Sequence, residues 1–224
     1  MLMLFLARCN KEKRKLMLHK KWLLFLCSLI ICFQTTAQNA SNKKINLQTY
    51  SGGMMFHTGY LSDGKVNVHN SQAPVQLQGT PFGIGGLLRF HINEHFRIGG
   101  EGYTSTLHYG KNKSYMTLGW GGLLLDSPWK INHFTVFAGT TIGGGSIKNI
   151  AVTDNPSHSI ETNALYRKYS VMLIDPFIGM EYAISSKIHL ITKIDWIVPL
   201  SEKQSDWATG FRVYLGIVFV HEKK

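Results

Sequence analysis

The chain has 224 residues and a formal charge of +11, with 17% charged, 44% hydrophobic and 12% aromatic residues and 22 glycines. So low a charged fraction, against roughly 25% in ordinary soluble domains, excludes intrinsic disorder and a long charged helix. No apolar run reaches the ~18 residues of a spanning helix, which excludes a helical membrane protein.

Residues 1–37 carry seven bases and one acid, from Arg8 to Lys21, and so hold +6 of the net charge. His19-Lys20-Lys21 precede an apolar run from Trp22 to Phe33, and Thr35-Thr36-Ala37 closes it. A basic start, a short apolar stretch and small residues are the pattern of a cleaved export signal, with cleavage expected after Ala37. Twelve apolar residues are too few to cross ~30 Å of hydrocarbon. Met17 would begin a signal of ordinary length, so 1–16 reads as an over-extended start. Cys9, Cys27 and Cys32 all lie in this segment. A mature chain from Gln38 therefore has no disulfide, thiolate metal site or cysteine nucleophile. Its 17 bases and 12 acids are scattered, without the basic stripe and interleaved aromatics of a nucleic-acid binder.

After an N-terminal segment at 38–46, alternation with a period of two predicts eight strands: 47–60, 80–92, 96–108, 114–125, 133–145, 169–184, 188–199 and 209–220. The connections alternate in length. Asn93-Glu94-His95, 126–132 and Ser185-Ser186-Lys187 are short; 61–79, 109–113, 146–168 and 200–208 are longer. Residues 221–224 remain as a tail. Eight antiparallel strands with short turns at one end and longer loops at the other describe an up-and-down transmembrane β-barrel.

Parity gives each strand an apolar and a mixed face. In the last strand Phe211, Val213, Leu215, Ile217 and Phe219 oppose Arg212, Tyr214, Gly216, Val218 and Val220. In the seventh, Ile188, Leu190, Thr192, Ile194, Trp196 and Val198 oppose His189, Ile191, Lys193, Asp195 and Ile197. A soluble lipocalin-like barrel would turn the apolar face inward and cover its outside with charge. The mixed face is too poor in charge for that, and a charge facing lipid at mid-membrane costs ~2–4 kcal/mol. Arg89, Lys193 and Arg212 are therefore expected inside. Two aromatic belts are expected at the membrane boundaries: Tyr50, Phe90, Phe96, Trp129, Phe134, Tyr182 and Phe219 near the tight turns, and Tyr60, Phe82, Tyr109, Tyr115, Trp196, Trp207 and Phe211 toward the long loops.

With its export signal, strand rhythm and closing strand Tyr214-Leu-Gly-Ile-Val-Phe219, the chain resembles the small eight-stranded outer-membrane β-barrels of the OmpA-barrel and OmpX type over nearly all of 47–224. The resemblance implies a monomeric barrel in a Gram-negative outer membrane, with periplasmic termini. Its partners would be outer-membrane lipid and lipopolysaccharide, and the barrel-assembly machinery during insertion.

Eight strands leave an interior just wide enough for side chains to fill. The candidate lumen network is Arg89, Arg97, Glu101, Glu181, Lys193, Asp195 and Arg212, with His189 beside it. Glu181 is expected diagonal to Lys193, and Arg89 near Glu101, because unpaired burial costs several kcal/mol. The expectation is a plugged, non-enzymatic barrel with a structural or surface-interaction role, external partners meeting loops 61–79 and 146–168. The same residues could instead line a narrow ion-conducting pore. No cofactor or metal is expected. His91-Ile92-Asn93-Glu94-His95 spells H-x-x-E-H, but zinc chemistry needs both histidines on one helix face, and this segment reads as a turn. Ser105 and His108 would suit a lipid-modifying enzyme only if they shared a face, and their spacing puts them on opposite ones. Gly83-Ile-Gly-Gly86 and Gly143-Gly-Gly145 precede no helix and read as space for neighbouring side chains.

Overall fold

The computed structural model describes residues 49–67, 74–110, 114–152, 164–201 and 204–222. The expected signal, the segment 38–46 and residues 223–224 lie outside these. The strands are β1 (Thr49–Val66), β2 (Val75–Gly79), β3 (Phe82–Asn93), β4 (Phe96–Tyr109), β5 (Ser114–Ile131), β6 (Phe134–Val152), β7 (Ala164–Ala183), β8 (Ile188–Asp195), β9 (Val198–Pro199) and β10 (Thr209–Glu222). Hydrogen bonding runs β10-β8-β7-β6-β5-β4-β3-β1, and β10 pairs back onto β1. Eight antiparallel strands thus close a ring without an edge, the arrangement that satisfies every backbone group in lipid. β2 is a short addition on the outer part of β1, and β9 pairs with β7.

Several strands outrun their expected ends. β1 continues through Val66, and Val75–Gly79 folds back on it, so much of 61–79 is a hairpin. Likewise 146–152 and 164–168 extend the β6–β7 ladder rather than a loop. The turn expected at 126–132 shrinks to Asn132 and His133, between the paired Ile131 and Phe134, and β10 takes in 221–222 of the expected tail. Pro128 is tolerated because the β4–β5 ladder ends at Arg97 and Asp126, so no donor is needed there. At the other tight turns, Asn93 Oδ1 accepts a hydrogen bond from the His95 amide at 2.8 Å, and Ser185 Oγ accepts from the Ile188 amide at 3.1 Å. The H-x-x-E-H segment is thus a hairpin corner.

Strand tilt follows from register. From Tyr50 on β1, partners lead to Phe90, Ile98, Leu125, Thr140 and Pro176, whose carbonyl accepts from the Trp196 amide. Beyond Trp196 lies Phe211, which pairs with Tyr60, ten residues along β1 from the start. Ten residues at ~3.4 Å each, tilted about 40°, rise about 26 Å, close to the ~25 Å apolar band of such barrels. Tyr50, Phe90, Trp129, Phe134, Tyr182 and Phe219 form one exposed belt, and Tyr60, Phe82, Trp196 and Phe211 another. Tyr109 and Trp207 do not join it; both are buried within the barrel's outer mouth.

Between the belts the exterior is apolar, with Phe56, Ile84, Leu190, Ile194, Leu215 and Ile217 exposed while Arg89, Lys193 and Arg212 are buried. A soluble barrel with its apolar face inward is thereby excluded. Above the outer belt the pattern inverts. Lys65, His108, Lys148 and Lys168 face out, while Leu61, Val66, Leu77, Leu107, Met116, Ile147 and Ala151 fill the inside.

Candidate functional site

The lumen is filled by side chains in three tiers. All seven residues of the expected network are inside and at most 7% exposed, but their partners differ from those expected. In the tier nearest the tight turns, Arg89 donates to Asp126 at 3.0 Å and to Glu181 at 2.7 Å. Arg97 donates to the same two carboxylates, through Nε to Asp126 at 2.5 Å and through Nη1 to Glu181 at 2.9 Å. Two guanidinium forks and two carboxylates thus close a balanced ring, the geometry in which charge-assisted bonds are strongest. His189 Nδ1 lies 3.5 Å from Glu181. Both guanidinium groups also sit over the Phe137 ring, at 5.4 and 5.1 Å. That ring has room because β7 carries Gly179 beside it, where a Cβ would fall on the ring atoms.

In the middle tier Lys193 Nζ pairs with Glu101 at 2.9 Å, not with Glu181. Tyr103 and Thr141 donate to the same carboxylate at 3.1 and 2.6 Å. The ammonium is also enclosed by the rings of Tyr103, Phe177 and Tyr214 at 4.5 to 4.9 Å. Asp195 accepts from Tyr214 OH at 2.5 Å and lies 3.6 Å from Arg212, which stacks on Trp120. Asp175 is also buried here, without a hydrogen-bond donor to either oxygen among the described residues. His57 packs against Tyr103, Trp120 and Tyr214, its ring occupying the space a Cβ at Gly83 would need.

The outer tier closes on Asp206, which is fully buried. It accepts from Tyr169 OH at 3.2 Å and Asn149 Nδ2 at 3.3 Å, and Arg167 Nη1 approaches it at 3.3 Å. Tyr109 OH donates to Asn149 at 2.5 Å. Burial, and next the Asp206 carboxylate, push both phenols above their ordinary range, so both remain neutral donors. The Ser205 carbonyl accepts from the Lys65 amide at 2.7 Å, tying this segment to β1.

Asp126, Asp175 and Asp206 are the lumen carboxylates absent from the expected network. Asp175 has the right parity on its strand, whereas Asp126 falls in an expected turn and Asp206 in an expected loop. Ser105 points inward and is buried, while His108 is exposed on the outer face. Among the described residues, no group of three or more His, Cys, Asp or Glu side chains is arranged to hold a metal ion.

No family model and no curated protein matches the chain. Among solved structures it is similar to neisserial surface protein A, at 10% identity and a TM-score of 0.51, over 78% of this chain and 97% of that one. It is also similar to the outer membrane protein OprG of Pseudomonas aeruginosa, at 7% identity and a TM-score of 0.51, over 78% of this chain and 96% of that one. The fold is that of the small eight-stranded outer-membrane β-barrels.

Proposed function

We propose that this outer-membrane barrel serves a Gram-negative envelope through its surface, with a lumen closed to solutes and no catalytic activity. One observation carries the reading. Arg89, Arg97, Asp126 and Glu181 bridge the interior from β3 and β4 to β5 and β7, and all four are at most 3% exposed. A permeant ion would have to displace paired charges whose separation in low dielectric costs several kcal/mol. The Asp206 cluster at the mouth supports the same reading. Against catalysis stands the Ser105–His108 geometry, since a nucleophile and its base must come within hydrogen-bond reach. The surface in question is the apolar wall facing lipid, including lipopolysaccharide, together with the external hairpins around 61–79 and 146–168, where outside partners would dock. The barrel would act as a monomer.

Conductance in planar bilayers tests this. The wild-type protein is expected to give no large, stable current steps; such steps would replace the plug with the narrow-pore reading.

A further inference from the structure

Lys148 on β6 and Lys168 on β7 stand directly opposite one another in the ladder, and both are exposed on the outer face. Opposed residues have Cβ atoms ~4.5–5.5 Å apart, and like charges so placed repel. Their outward neighbours are Ser146, Ile150, Tyr166 and Ser170 on the same strands, and Thr117 on β5. Among the described residues, no carboxylate stands on the outward face of β5, β6 or β7 at this height. Asp206 is turned into the mouth and fully buried. Among the described residues, the two ammonium groups therefore have no protein counter-charge on this face.

Their height indicates what supplies it. Thr140 and Pro176 lie near the middle of the register walk from Tyr50 to Tyr60, and each lysine is eight residues further out on its strand. That places the pair three to four residues above the outer aromatic belt, about 8–10 Å beyond the hydrocarbon edge. Lipid phosphates occupy this zone. A phosphomonoester, carrying about −1.5 to −2 charges, matches two lysines better than a singly charged diester.

We propose that Lys148 and Lys168 bind the phosphomonoester of an outer-leaflet lipid headgroup, with the exposed Tyr166 ring beside them at the interface. The assignment rests on the membrane reading above and gives its lipid contact a chemical class. It is tested with the full chain inserted into phosphatidylcholine bilayers, doped with phosphatidic acid (a monoester), doped with phosphatidylglycerol (a diester), or supplied with inorganic phosphate alone. Retained lipid is read by native mass spectrometry and stability by urea titration. The wild type should retain phosphatidic acid about tenfold over phosphatidylcholine, and the Lys148→Gln/Lys168→Gln variant should lose that preference. In pure phosphatidylcholine the double variant should resist urea at least as well as the wild type, because the repulsion is gone. Unchanged retention by the double variant would overturn the site while leaving the barrel reading intact. Protection by inorganic phosphate equal to that by phosphatidic acid would overturn a lipid source. Failure to insert at all, with no heat-dependent gel shift, would instead remove the membrane reading and the site with it.

Discussion

Arg89 and Arg97 share both of their carboxylates, so neither arginine has a private partner. Removing Glu181 strips one acceptor from each and leaves two guanidinium groups facing Asp126 alone. Breaking such a buried network costs about 3–5 kcal/mol because the surviving charge stays buried. Glu181→Gln is therefore expected to lower the urea midpoint of the membrane-inserted protein by that equivalent, and an effect below about 1 kcal/mol would mean that water reaches the tier. Parity was enough to place these residues inside, because a period of two fixes which way each side chain points. It could not give the partners. Arg89 on β3 and Glu181 on β7 are not neighbours in the sheet, and their contact is a chord across the lumen. Diagonal reasoning between adjacent strands paired Glu181 with Lys193, whereas Lys193 reaches across to Glu101 on β4. Asp206 carried no parity signal at all, since it lies in a connection.

At the outer end of the barrel the strands run past their expected ends because the solvent outside them changes. Inside the membrane the alternation is apolar outward and mixed inward; above the outer belt it becomes polar outward and apolar inward. Lys148 with Ile147 continues the period of two with its sense reversed, while on β1 a register shift between Leu61 and Gly64 turns Lys65 outward and Val66 inward. A reading tuned to an apolar exterior stops where water begins, which is why 61–66 and 146–152 read as loops. The opposite end erred differently: Asp126-Ser127-Pro128 looks like turn chemistry, yet the β5–β6 ladder runs on to Ile131 and the chain reverses at Asn132, with φ 55°. Asparagine enters that left-handed region more readily than branched residues do. Asn132→Val should cost about 1–2 kcal/mol, whereas Asn132→Gly should stay within about 0.5 kcal/mol of the wild type, both read as shifts in the urea midpoint. Equal effects of the two substitutions would show that the turn relaxes to another conformation.

Closure of the ring fixes what the whole molecule can tolerate. With β10 bonded to β1 there is no free edge, and every outward side chain between the belts meets the same solvent. Leu215 is four residues from Phe211 toward one belt and four from Phe219 toward the other, hence near the bilayer midplane, and it is exposed. An arginine there should cost about 2–4 kcal/mol in the inserted protein. On the outlying strand β2, above the outer belt, Gln78→Arg should change stability by no more than about 0.5 kcal/mol. The comparison uses one side chain at two heights, so it separates hydrocarbon from water without reference to any partner. On a water-facing barrel both substitutions would be nearly neutral, since an exposed leucine in water has nothing to lose on replacement. The energetic sign at Leu215 is therefore set by the lipid around the ring. Equal, small effects at the two positions would remove the membrane from the account, and with it the reason for folding ten Asp, Glu, Lys and Arg side chains, among the described residues, into the lumen.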